Sequence, residues 1–109
     1  MTIIYNKKSS LYEIRNILNQ EKPSSILLIR GNSSYEESGA RNILEPQLEN
    51  YNVVHLHGFK KSPYLEDVER TIDLIRRENV DFIIGVGGGT VMDIAKAASL
   101  LNCESDNKQ

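Results

Sequence analysis

Three times along this 109-residue chain a mainly apolar run of strand length gives way to a stretch of helical period. Few architectures accommodate that rhythm. The runs are Ser25–Arg30 (SILLIR), Asn52–His57 (NVVHLH) and Asp81–Val86 (DFIIGV). They recur about every 27 residues, close to the length of a βαβ unit. SILLIR is apolar on both faces, as a central parallel strand must be. The pattern predicts an α/β fold: a Rossmann-like three-layer sandwich with a mainly parallel sheet and right-handed crossovers. A shorter apolar run, Thr2–Tyr5, precedes the first helix.

The helical text has its own punctuation. Ser10 and Glu13 stand at capping-box spacing, and Leu11, Ile14, Ile17 and Leu18 share one face of a helix ending near Gln20. Gly39 and Pro46 predict that the second helix is short or broken. Ser62 offers an N-cap with Pro63 in the first helical position, and Leu65, Val68, Ile72 and Ile75 form the buried stripe that follows. The charged residues between Glu66 and Arg77 fall mainly off that stripe and read as a solvated face. In the last helix Val91, Ile94, Ala95, Ala98 and Leu101 lie on one side. Residues 1–101 therefore read as one domain. Asn102–Gln109 reads as a structureless polar tail or the start of a linker.

Charge and composition narrow the partners. A net charge of −2 and a pI near 5.7 give no electrostatic case for nucleic acid or an anionic membrane. No apolar run approaches the ~20 residues of a spanning helix. The N-terminus lacks the ordered regions of a signal peptide. The single cysteine, Cys103, can form no internal disulfide, and these features together predict a cytoplasmic protein.

In open parallel sheets ligands bind beyond the carboxyl ends of the strands. Here those segments are Gly31–Ser34, Gly58–Ser62 and Gly87–Thr90. The third runs from a buried strand straight into a helix start. Glycines let the backbone approach a ligand closely, and the first helical N–H groups lack intrahelical partners, so an anion is favoured there. One glycine would suffice for a turn; three point to a phosphate site. Thr90 and Asp93 stand at capping-box-like spacing. Thr90 replaces the last glycine of a G-x-G-x-x-G fingerprint, and no lysine follows as in a P-loop, so these residues leave the phosphate-bearing ligand unspecified. His55 and His57 alternate on a strand and face the same way, but no third ligand is near in sequence to make a metal site.

The stretch Asp81–Ala97, DFIIGVGGGTVMDIAKA, resembles the strand–GGG[S/T]-x-x-D-x-A-K–helix element of the iron-containing (group III) alcohol dehydrogenases. Ser38-Gly39, Phe59, Pro63 and Asp67-Val68 fit the same family, so the likeness runs from about Ser25 to Leu101. The wider group includes glycerol dehydrogenase and dehydroquinate synthase, whose N-terminal domain has the predicted fold. The resemblance implies a nicotinamide cofactor, NADP or NAD, with its pyrophosphate on Gly87, Gly88, Gly89 and Thr90. Asp93 and Lys96, on one helical face, would order that pocket or merely pair with each other. It further implies that Gly31, Asn32, Ser33 and Ser34 meet the adenine ribose. Many relatives carry an aspartate where Asn32 stands; a neutral side chain there, with Arg30 and the serines nearby, implies that NADP is tolerated or preferred.

The family also implies a divalent metal, Fe2+ or Zn2+, held in a second, helical domain, and a primary alcohol or its aldehyde as substrate. Small or functionalised aldehydes fit the Gly31–Ser34 turn and the Phe59–Pro63 segment best, and a homo-oligomer is compatible with the likeness. No catalytic residue and no metal ligand is assigned within this chain, which reads as the nucleotide-binding part of a longer enzyme, inactive alone. A stand-alone nucleotide-binding module and a dehydroquinate synthase-like lyase domain are the alternatives.

Overall fold

The computed structural model describes residues 2–5, 12–31, 34–37, 39–57, 64–87 and 89–107. Four strands, β1 (Thr2–Tyr5), β2 (Ile26–Arg30), β3 (Val53–Leu56) and β4 (Phe82–Val86), form one sheet in the order β1-β4-β2-β3. Every pairing is parallel, with Ile26 opposite Phe82 and Arg30 opposite Val86 across the central pair. The helices are α1 (Ile14–Glu21), α2 (Ser34–Glu37), α3 (Ala40–Leu44), α4 (Tyr64–Arg77) and α5 (Gly89–Asn107), with a 3-10 turn over Glu45–Leu48.

Alternation along the central strands divides the core in two. Ile26 and Leu28 of β2 face Ile14 and Leu18 of α1 and Leu44 of α3, whereas Leu27 and Ile29 face Ile75 of α4 and Val91, Ala95 and Ala98 of α5. Both faces are covered, which is why β4 and the first four residues of β2 need apolar residues and why Ile26 to Ile29 are all fully buried. This is the three-layer α/β sandwich with a parallel sheet that the spacing predicts, and among the described residues every strand pairing is parallel.

Backbone polar groups at the amino edge of the sheet are tied down by one carboxylate. Asp81 accepts the N–H of Ser24 at 2.9 Å and of Ser25 at 3.0 Å, and its own N–H donates to the Ser25 carbonyl at 3.1 Å. The pair fixes the register of β2 against β4. Burial alone would raise the Asp81 pKa, but the N–H groups of Ser24, Ser25 and Asp81 itself outweigh it and hold the carboxyl below its ordinary value.

Several sequence expectations need correction or fall outside the described residues. α1 begins at Ile14, and Glu13 makes no side-chain capping hydrogen bond; Ser10 and Leu11 lie outside the described residues, as do Ser62 and Pro63. The helix ends where Lys22, at φ 48°, gives its N–H to the Leu18 carbonyl. In α4 the stripe is rolled relative to the apolar spacing. Leu65 is 61% exposed, while Asp67, Val68, Thr71 and Ile75 are buried. Thr71 can face inward because its hydroxyl donates to the Asp67 carbonyl at 2.7 Å, and counting apolar residues alone misses a satisfied threonine. The break at Gly39, in left-handed conformation between α2 and α3, and the Pro46 turn agree with expectation. The polar tail does not: α5 continues through Asn107, in a stretch from Thr90 with neither glycine nor proline to stop it.

Candidate functional site

Because β2 and β4 are neighbours in register, the loops leaving their carboxyl ends start side by side. The Gly31 N–H donates to the Val86 carbonyl at 3.2 Å, which joins the two loop stems directly. Gly87 follows at φ 154°, a conformation that side-chain-bearing residues rarely adopt. A Cβ placed on it would lie 2.9 Å from Val91 Cγ2 and 3.4 Å from the Gly31 nitrogen. Val91 is buried and β-branched, so it has little freedom to move aside. The backbone at Gly87 is thus pinched between the first turn of α5 and the stem of the other loop, and only glycine fits.

That pinch brings the start of α5 to the mouth of the sheet. Gly89 opens the helix and Thr90, exposed, is its second residue rather than its cap, which corrects the capping-box reading of Thr90 and Asp93. A 19-residue helix aims its unpaired N–H groups and the positive end of its dipole at this mouth. The arrangement can hold an anion close to the backbone. Of the residues singled out by sequence, Gly31, Gly87, Gly89 and Thr90 are gathered here. Asn32, Ser33 and Gly88 lie outside the described residues. Ser34 is the first residue of α2, and Asp93 is exposed one turn into α5.

Beside the mouth lies a polar cluster whose wiring the sequence did not disclose. The Tyr35 hydroxyl donates to Glu45 Oε2 at 2.9 Å, and the same oxygen receives Arg41 Nε at 3.1 Å. A second nitrogen of Arg41 reaches Glu36 Oε1 at 2.6 Å. The Arg30 guanidinium lies over the Tyr35 ring, 5.0 Å from its centre. Burial, then the bond to Glu45, pushes the Tyr35 hydroxyl far above its usual range, so it stays protonated and a donor. His55 is held below its ordinary pKa by burial and then by the Arg30 charge. These side chains line a cavity of about 230 Å3, which shares Arg41, Glu45 and His55 with a larger groove of about 490 Å3 beside β3. The i, i+4 spacing of Arg41 and Glu45 was the one legible signal; Tyr35 joins only through the Gly39 bend.

Among the described residues no three His, Cys, Asp or Glu side chains come together as a metal-ligand group, so they do not fit the family's metal. Nor is any described helix long and apolar enough to cross a membrane.

Fold and mouth together define a Rossmann-like α/β domain with a glycine-lined anion cradle at the carboxyl edge of its sheet. The profile of the family "Iron-containing alcohol dehydrogenase" matches residues 2–109, and the chain belongs to that family. Similar proteins include "Probable NADH-dependent butanol dehydrogenase 2" of Bacillus subtilis, 39% identical over 75 residues, which cover 67% of this chain and 19% of that protein. "Glycerol-1-phosphate dehydrogenase [NAD(P)+]" of Thermococcus sibiricus is 33% identical over 75 residues, 69% of this chain and 21% of that one. An iron-containing alcohol dehydrogenase of Thermotoga maritima superposes with a TM-score of 0.74 at 26% identity, covering 96% of this chain and 30% of its own. The chain spans about a fifth to a quarter of the length of the curated relatives it matches.

Proposed function

We propose that this chain is the nicotinamide dinucleotide-binding part of a dehydrogenase that interconverts a primary alcohol and its aldehyde. The observation that carries the reading is the pinch at Gly87, where a Cβ would meet Val91 and approach Gly31. Such a cradle suits a pyrophosphate, which needs bare backbone N–H groups and no intervening side chain. In this reading Gly87, Gly88, Gly89 and Thr90 hold the pyrophosphate, while Gly31, Asn32, Ser33 and Ser34 meet the adenine ribose. Asp93 and Lys96 order the pocket and take no part in chemistry. The bound cofactor, NADP or NAD, supplies or accepts the hydride; the protein holds and orients it.

Polarising the carbonyl requires a further group. In this proposal that group is Fe2+ or Zn2+, held in a helical domain beyond residue 101, and no residue described here is assigned to it. The dehydrogenase names of the relatives favour this reading over a dehydroquinate synthase-like lyase. The test is direct binding of NADH and NADPH to the 109-residue chain, followed by aldehyde-dependent NAD(P)H oxidation by the protein with its helical domain. Binding without oxidation by the chain alone, and oxidation by the larger protein, is expected. Failure of the chain to bind either dinucleotide would sink the proposal.

A further inference from the structure

α2 is a single turn of four residues, too short to be stable by itself, and Gly39 separates it from α3. Its position, and with it the far end of the loop that leaves β2, is therefore set by side chains. Tyr35 is their hub. It is only 2% exposed and belongs to the same core cluster as Leu28 and Leu44. The guanidinium of Arg30, the last residue of β2, lies over its ring, so the residues that flank Gly31 and Ser34 are stacked on each other. The Tyr35 hydroxyl reaches Glu45, ten residues on and beyond the Gly39 bend. Arg41 binds that same carboxylate and also Glu36, which ties α2 to α3 a second time. At its other end the turn is pinned by the Gly31 N–H on the Val86 carbonyl. Two arginines and two glutamates line the cavity, so their formal charges cancel, and the cluster has the character of a brace.

We propose that Tyr35 is a positioning residue for the dinucleotide mouth: bonded to Glu45 and stacked with Arg30, it holds the Gly31 and Ser34 ends of the turn at the spacing the adenine ribose requires. The proposal rests on the nucleotide reading above. Tyr35 is too deeply buried to touch the ligand, so it acts only through the turn. Without the hydroxyl the ring still packs, but α2 loses one tether to Glu45. The share of molecules with the turn in place then falls, and the apparent affinity falls with it.

Calorimetry with AMP and NADH on the 109-residue chain tests this, at a temperature where thermal melts show every variant folded. Tyr35→Phe should weaken both ligands about fivefold, the scale of one net hydrogen bond, and by the same factor because both carry the adenine ribose. Glu45→Ala removes the other end of the bond and should weaken them at least as much. The double variant should be no weaker than the weaker single one, as expected of two residues that act through one bond. Affinities that Tyr35→Phe leaves unchanged, whatever its melting temperature, would show a purely structural tyrosine and overturn the proposal. Losses that multiply in the double variant, or a loss for NADH but not for AMP, overturn it as well. No binding of either ligand to wild type removes the nucleotide reading and this proposal together; binding to wild type that Tyr35→Phe leaves intact removes this proposal alone.

Discussion

Gly87 and Asp81 sit at opposite ends of β4 and constrain it by different means. Gly87→Ala forces a Cβ into a φ of 154° and to within 2.9 Å of Val91. The expected loss is about 1–3 kcal/mol in chemical denaturation, the usual scale of local backbone strain. Dinucleotide binding should fall further than stability does, because the cradle itself is displaced. Asp81→Ala removes the acceptor of the Ser24 and Ser25 N–H groups and should cost about 1–2 kcal/mol. Since the Asp81 pKa is lowered on folding from 3.8, its contribution is complete above that value and fades as pH falls through the folded pKa. Wild type should therefore lose stability below about pH 4 more steeply than Asp81→Ala, which denaturation midpoints across that range would show. Both residues were visible in the sequence, but only Gly87 carried a signal there. Nothing local marks Asp81 as a cap for a strand more than fifty residues away.

At the level of the element, α4 shows how far periodicity reaches. The spacing of Leu65, Val68, Ile72 and Ile75 identifies the helix and roughly its buried side, but its roll about its own axis is set by the neighbours it packs against. Those neighbours select Val68 and Thr71 over Leu65. Val68→Ala should cost about 2 kcal/mol and Leu65→Ala less than about 0.5 kcal/mol. Equal losses at the two positions would show that the apolar spacing, not the observed roll, describes the packing. α5 follows a different rule. Its contact face uses Ala95 and Ala98, fully buried, so that the helix lies close to the sheet. Ala95→Leu is expected to destabilise by about 1–3 kcal/mol through overpacking.

For the molecule as a whole, the mouth exists only when the sheet is assembled, since it joins the ends of β2 and β4 to the start of α5. A ligand of that mouth binds the folded chain and not the unfolded one. Dinucleotide at about one hundred times its dissociation constant should add about 2.7 kcal/mol, a rise of roughly 10 °C or more in Tm for a domain of this size. A scan showing no shift at saturating dinucleotide would remove the proposed ligand from this mouth.

The sequence by itself determined the strand–helix order, the two-faced burial of the central strands and the glycine-rich turn entering a helix. Each of these is written in residues adjacent along the chain, through side-chain period and backbone freedom. Tertiary structure alone decided which loops meet, because strand order is a property of pairing and not of succession: β4 inserts between β1 and β2 and so brings Gly87 to Gly31. It likewise decided the roll of α4 and the assembly of Arg30, Tyr35, Arg41, Glu45 and His55 around one cavity. Those side chains come from β2, α2, α3, the 3-10 turn and β3, and no local rule of spacing joins them. They meet because the parallel sheet sets β3 beside β2 and the chain bends at Gly39 to lay α3 across the same face.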